Sequence, residues 1–550
     1  MLKGQMMDRP LLVSSLIDYA AEIHSSTPIT TATVEGPIHR QTFAETQARV
    51  ARLANVLLKL GVKPGDRIAT LAWNTHRHFE LYFAISGIGA VCHTINPRLS
   101  PEQMAYIVND ADDRVLFFDL NMLDAVADLR PLAPRLGRVI ALTDRAHAPM
   151  HDKLSDIGIY EDLLADCPDT YAWPEFDENT AASLCYTSGT TGNPKGVLYS
   201  HRALVLHSFA CCLTSTMGLA ADDRVLPVVP MFHVNAWGVP YAAPMSGATL
   251  IMPGRKLDGD SLFELMDSEN VTCAQGVPTV WMSLIDVMRR HGRKPKALDR
   301  VLIGGAAASE ALIDAFEVEF GVSVNHAWGM TEMTPLGVVN TLKPKFKKLQ
   351  RAQQMPQKLK QGRVVYGVDM RVVDGDGHIL ANDGKTPGHL QVRGPWIVKS
   401  YFKAATSALT ADGWFDTGDI ATLDPDGYMQ ITDRAKDVIK SGGEWISSVD
   451  LENAAQGHPA IAHAAVIGMP DAKWQERPLL VCVARGSARP ALAEINEFLA
   501  TKVPKWWLPD RVEFVDALPL GPTGKIQKTK LRDRFLRPAS GQNPTLESHS

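Results

Sequence analysis

The chain has 550 residues, 45% apolar and 21% charged, enough to bury large cores and to divide into more than one domain, which excludes a disordered, collagen-like or disulfide-stapled protein. With 56 basic against 61 acidic residues the net charge is -5; that supplies no whole-molecule field for a polyanion, and no nucleic-acid partner is expected. Seven cysteines without Cys-x-x-Cys spacing read as buried thiols of a reducing compartment, so the expected location is cytoplasmic.

Met1 to Pro10 carries charges and no long apolar run, unlike a secretory signal. Thr42 to Leu60 places Phe43, Val50, Leu53, Ala54, Leu57 and Leu60 at helical spacing before Gly61, which predicts an amphipathic helix with a C-cap glycine. Arg67 to Leu71 reads as a strand, His78 to Ile88 as a helix and Ala90 to Ile95 as a strand. Short apolar runs at Val115 to Phe118, Val139 to Leu142, Ala248 to Met252 and Val301 to Ile303 suit strands of a parallel sheet buried on both faces. Val225 to Met252 lacks Asp, Glu, Lys and Arg, but Pro227, Pro230, Pro240 and Pro244 interrupt it. A core or pocket lining is expected there rather than a membrane span.

The fold class read from this pattern is α/β: a large N-terminal domain, 1–432, of sheets covered by helices, followed by a small α+β domain, 433–536. The boundary sits after the turn Asp424 to Gly427 and the strand Tyr428 to Thr432, where a charged run begins. The small domain is expected to hold strands at Ala464 to Ile467, Leu479 to Val483 and Val512 to Val515, with a helix at Ala491 to Leu499. The tail, 537–550, rich in Ser, Pro, Asn and Gly, is expected to be disordered.

Directly after the apolar run Ala181 to Tyr186 stands Thr187-Ser-Gly-Thr-Thr-Gly-Asn-Pro-Lys-Gly196. Its glycines let backbone N–H groups turn inward, its hydroxyls add donors and Lys195 adds charge, together a cradle for phosphate oxygens. It is not a Walker A loop, because Pro194 precedes the lysine and Gly196 follows it.

This loop resembles the phosphate-binding loop of the AMP-forming adenylating enzymes, the superfamily of acyl-CoA synthetases, adenylation domains and luciferases. Further segments resemble that family's motifs in order: Gly304-Gly-Ala306, Trp328-Gly-Met-Thr-Glu332, Thr417-Gly-Asp419, Asp433 to Asp437 with Lys440 to Gly443, and Pro522-Thr-Gly-Lys525. The resemblance implies a small C-terminal domain that is mobile, and a nucleotide site of Thr187, Ser188, Gly189, Thr190, Thr191, Gly192, Lys195, Gly304, Gly305, Ala306, Ala327, Trp328, Gly329, Met330, Asp419 and Arg434. In it Trp328 stacks on adenine, while Asp419 and Arg434 hold the ribose. Glu332 and Thr187 are the implied Mg2+ ligands, and Thr331 reaches the α-phosphate.

By the same resemblance Lys525 bridges carboxylate and α-phosphate during adenylation, and Asp433 is the hinge. Lys440, Ser441, Gly442, Gly443, Glu444 and Trp445 line the CoA tunnel. Met231-Phe-His-Val-Asn-Ala-Trp237 resembles the acyl-site segment of fatty-acyl ligases, giving an acyl pocket of His233, Trp237, Gly304 and Pro335 with His233 beside the carboxylate. Together with Trp328-Gly-Met-Thr-Glu332, the segment looks most like medium-chain fatty-acyl and bacterial 3-methylmercaptopropionate ligases. The expected activity is therefore ATP- and Mg2+-dependent joining of a carboxylic acid to CoA through an acyl-adenylate. A long-chain ligase or a stand-alone enzyme loading a carrier protein remains as the alternative, and homodimers are common in the family.

Overall fold

The computed structural model describes residues 1–187, 193–441, 444–521 and 526–536. The chain divides into two compact units, Met1–Ile431 and Thr432–Ser550.

In the first unit the helix Phe43–Lys59 opens on a capping box: the Thr42 side chain accepts from Glu45 N, and Glu45 accepts from Thr42 N. Its Val50, Leu53, Ala54 and Leu57 are buried at the predicted spacing, the valine and leucines each worth about 1.5–3 kcal/mol, and Gly61 follows at φ +81°. The next helix, His76–Gly87, begins two residues before the predicted start because the Thr75 side chain caps it, and all twelve of its residues are buried. A helix without a wet face has no polar stripe to mark its ends.

Among the described residues the first unit holds two large sheets. A seven-stranded sheet runs Ile157–Ile159, Arg138–Ala141, Val115–Phe118, Arg67–Leu71, Val91–Thr94, Ala181–Tyr186 and Gly196–Ser200; all neighbours are parallel except the last hairpin. The other sheet contains a parallel block in the order Pro28–Ala32, Thr249–Met252, Arg224–Pro227, Cys273–Gly276, Arg300–Ile303 and Ser323–Gly329. Leu336–Val339 then continues it antiparallel. Motif residues follow the carboxyl ends of these strands, the edge where parallel sheets bind ligands.

Asn74 ties the two sheets together. From the end of strand Arg67–Leu71 its Nδ2 donates to the carbonyls of Pro227 and Val229, at 2.8 and 2.9 Å, and its Oδ1 accepts from Met231 N at 2.6 Å. The charge-free stretch Val225 to Met252 is thus strand, anchored loop, helix Val239–Ser246 and strand. Among the described residues no helix is long and apolar enough to cross a membrane.

The second unit packs the antiparallel pair Ile461–Asp471 and Gln475–Ala484 against the helices Ser448–Gln456 and Leu492–Leu499, burying Leu451, Val466, Leu480, Ile495 and Leu499. Helix Lys528–Leu536 covers the opposite face through Leu531. Both strands are longer than their apolar runs because exposed and half-buried residues continue the ladder at their ends.

Candidate active site

The strands Ala181–Tyr186 and Gly196–Ser200 form a hairpin whose register pairs Tyr186 with Gly196. Beyond that pair Thr187 N donates to the Lys195 carbonyl at 2.9 Å, and Lys195 N donates to Thr187 Oγ1 at 3.2 Å. The base of the predicted phosphate loop is thereby pinned, with Lys195 exposed at its exit. Ser188, Gly189, Thr190, Thr191 and Gly192 lie outside the described residues.

Thr331 and Glu332, each 8% exposed, follow the strand Ser323–Gly329. Tyr199 OH donates to the Thr331 carbonyl at 2.7 Å, and Val398 N donates to the Glu332 carbonyl at 2.7 Å. The Glu332 carboxylate accepts at Oε1 from Tyr401 OH, 2.8 Å away. Lys195 Nζ stands 4.8 Å from the centre of the Tyr401 ring, a cation–π contact worth about 0.5–1 kcal/mol at an exposed site. Burial, followed by the Glu332 charge, pushes the Tyr401 phenol well up, so it stays a donor. Tyr401 and Tyr199 carry no motif signal, and the sequence reading missed both.

Trp328 donates its indole N–H to Asp419 Oδ2 at 3.1 Å. Asp419 is 2% exposed, and its backbone N donates to Thr417 Oγ1 at 3.1 Å. The indole needs Gly337: a Cβ there would lie 2.7 Å from Trp328 Cζ3. Ala327 and Trp328 pair with Val339 and Val338, and Met330 N donates to the Pro335 carbonyl at 3.2 Å. That carbonyl would sit 1.9 Å from a Cβ on Gly329, so glycine is required where the chain folds back. The structure therefore brings Trp328, Asp419, Gly329, Met330 and Pro335 together.

The segment Met231 to Trp237, expected to line an acyl pocket, holds an unexpected backbone. Val234, Asn235, Ala236 and Trp237 have φ of +48°, +50°, +46° and +56°, followed by Gly238 at +80°. A left-handed turn of L-residues costs roughly 1–2 kcal/mol per residue, so its surroundings must hold it. Asn235 Oδ1 faces Ser183 Oγ at 3.2 Å, Gly238 N donates to the Asn235 carbonyl at 2.9 Å, and Ala236 N donates to the His233 carbonyl at 3.2 Å.

The turn carries the Trp237 ring onto Gly304, where a Cβ would be 2.9 Å from Cη2. Under Gly238 lies His207, whose ring would be 2.6 Å from a Cβ added there, and whose Nε2 accepts from Leu336 N at 3.3 Å. His207 thus joins the Trp237 turn to the Pro335 segment. Burial pushes its imidazole down to about 3, so it stays neutral. His233 is half-buried at the mouth of the turn, Gly304 is buried, and Gly305 and Ala306 are exposed.

In the second unit Asp433, 1% exposed, accepts from Ser448 N at 2.7 Å through Oδ2 and from Arg434 N at 2.7 Å through Oδ1. It takes up the first N–H of the helix Ser448–Gln456, whose N-cap is Ser447, and burial raises its carboxyl. Lys440 pairs across a hairpin with Trp445, and Ser441 with Glu444. Lys440 is exposed, Ser441 is buried and Trp445 is half-buried. Gly442, Gly443, Lys525 with the rest of its Pro522 to Gly524 loop, and the tail 537–550 lie outside the described residues.

The AMP-binding enzyme family matches residues 21–402, and the AMP-binding enzyme C-terminal domain matches residues 450–525. The chain is 52% identical to a 3-methylmercaptopropionyl-CoA ligase of Ruegeria lacuscaerulensis, over 98% of this chain and 100% of that one. It is 46% identical to a medium-chain-fatty-acid–CoA ligase of Ectopseudomonas oleovorans, over 97% of each chain. An anthranilate CoA ligase solved with anthranoyl-AMP shares the fold at a TM-score of 0.84 and 24% identity, over 96% of this chain and 98% of that one. The chain belongs to the AMP-binding enzyme family, and its place there is among the acyl-CoA ligases.

Proposed function

We propose that the protein activates a carboxylic acid with a flexible apolar tail, a short- or medium-chain fatty acid or 3-methylmercaptopropionate, first as its adenylate with release of pyrophosphate and then as its CoA thioester with release of AMP. The observation that carries the nucleotide half is the buried Asp419 carboxylate fixed by the Trp328 indole, an acceptor suited to the paired hydroxyls of a ribose. The acid is argued from the two similar ligases and from an apolar wall, Trp237, set against the bare backbone of Gly304.

Glu332 fits a magnesium ion. One oxygen is committed to Tyr401, and among the described residues no donor is set against the other. A single carboxylate oxygen suits an ion that keeps most of its waters and is held chiefly by phosphates; the Thr187 hydroxyl is the second candidate ligand. Bound there, the ion would neutralise charge on the departing pyrophosphate. Lys195 supplies a cation to the phosphates, and Lys525 is assigned to the reacting carboxylate and α-phosphate. Asp433 is assigned as the hinge about which the small unit exchanges the Lys525 loop for the Lys440 to Trp445 face. Seven free cysteines support a reducing, cytoplasmic setting.

The test is pyrophosphate release with ATP and Mg2+ across straight-chain acids and 3-methylmercaptopropionate, with and without CoA, products identified by mass. An acyl-CoA formed only when CoA is present is the expected result. Adenylate without thioester would overturn the CoA assignment. In the Lys525→Ala protein, adenylation is expected to fail while supplied acyl-adenylate and CoA still give thioester.

A further inference from the structure

The segment carrying Tyr401 is moored at two points. Val398 N donates to the Glu332 carbonyl at 2.7 Å, and Phe402 N donates to the Gly196 carbonyl at 2.8 Å, next to Lys195. Gly196 is packed so closely that a Cβ there would lie 3.0 Å from Phe402 Cβ. Between these moorings one side chain meets two oppositely charged groups of the proposed nucleotide site: the Tyr401 hydroxyl bonds Glu332 Oε1 at 2.8 Å, and its ring faces Lys195 Nζ at 4.8 Å. Among the described residues Lys195 has no carboxylate within ion-pair distance, and Glu332 has no cationic side chain.

We infer that Tyr401 is a positioning residue for adenylation, holding Glu332 ready for a metal ion and Lys195 ready for phosphate by standing between them. This rests on the proposed ATP chemistry. The physical reason is competition: a lysine and a glutamate brought to one phosphate site would otherwise pair with each other, and each would have to be freed before ATP could bind. A phenol at Oε1 leaves the carboxylate's charge in place while directing any cation to the other oxygen. The ring holds the ammonium through its quadrupole, a contact weaker than a phosphate can offer. Tyr401 therefore binds both groups loosely enough to release one and orient the other.

The experiment compares wild type with the Tyr401→Phe protein, which keeps the ring and loses the hydroxyl, by calorimetric titration with ATP in excess Mg2+ and with ATP in chelator. The expected result is about a tenfold weaker MgATP affinity, the scale of one lost hydrogen bond to a charged group, with less than a twofold change for metal-free ATP. The Tyr401→Leu protein, lacking the ring, is expected to weaken metal-free ATP as well, because Lys195 is then free to pair with Glu332. Equal weakening of both forms by Tyr401→Phe, or no change in either, would overturn the inference, and unchanged melting temperatures separate it from a folding defect. Failure of the wild-type protein to turn over any acid would count against the proposed function while leaving the binding comparison intact.

Discussion

The indole N–H of Trp328 and the Asp419 carboxylate are hydrogen-bonded to each other at 3.1 Å, although 91 residues separate them in the chain. The sequence suggests two independent roles, a ring for adenine and a carboxylate for ribose. The structure makes them one unit, with the indole orienting the acceptor. Trp328→Phe keeps an aromatic face and removes the donor, so ATP affinity is expected to fall about tenfold, the weight of one bond to a charged acceptor. Equilibrium binding of metal-free ATP checks this; a variant that binds ATP as wild type does would confine the indole to packing.

Gly304 and Trp237 make a second prediction. A Cβ on Gly304 would lie 2.9 Å from Trp237 Cη2 and 3.3 Å from the Ala327 carbonyl, so Gly304→Ala must displace the indole. The single substitution is expected to lower kcat/KM for every acid, and Trp237→Ala to shift preference toward longer chains. In the double variant the cost of the alanine is expected to shrink, because the group it strikes is gone. Acid-by-acid kcat/KM in the four proteins measures that coupling, and additive effects would place Trp237 away from the acyl path.

What the sequence made legible follows from whether the signal is local. The helix Phe43–Lys59 was readable because its apolar period and the glycine two residues past its end, Gly61, are both local in the chain. Strands such as Val115–Phe118 were readable because burial on both faces makes them short and wholly apolar. The left-handed turn at Trp237 was not, since only Asn235 among Val234, Asn235 and Ala236 readily visits positive φ, and the turn is held by Ser183 and neighbouring carbonyls. Tyr401 was equally hidden: it meets Glu332 across 69 residues, in a segment with no glycine pattern or charge cluster. His207 and Asn74 read as ordinary polar residues until the loops they tie are seen.

Asp119 gives a pH prediction. It follows the strand Val115–Phe118, is 1% exposed and accepts from Trp73 N at 2.7 Å. Burial pushes its carboxyl up to about 7; Glu35 adds to the rise, while the Trp73 bond and Arg77 oppose it. An unfolded aspartate titrates near 3.9, so between about pH 4 and 7 the folded chain binds the extra proton. Stability from this group is complete below the lower value and is lost as pH rises through the upper one, by up to about 4 kcal/mol. Asp119→Asn removes the titration and keeps an acceptor for Trp73. Its melting temperature relative to wild type is expected to rise between pH 5 and 8; a constant difference would show that Asp119 stays ionised.

Lys528 is the buried cation of the small unit. Its ammonium pairs with Glu452 at 2.8 Å and bonds Ser448 Oγ. Burial opposes its charge, but Glu452, Asp433 and Asp437 outweigh burial and raise its pKa. Lys528→Met leaves those carboxylates without their cation and is expected to cost about 3–5 kcal/mol, read as a lower unfolding midpoint for this unit in limited proteolysis of the full chain. Adding Glu452→Met replaces the pair by apolar groups, which is often neutral when a pair is isolated. Here recovery is expected to be partial, because Asp433 would still be buried at the start of helix Ser448–Gln456 without a counter-charge. Full recovery would mean that the Ser448 and Arg434 backbone N–H groups suffice to hold the Asp433 carboxylate, and that Lys528 serves Glu452 rather than Asp433.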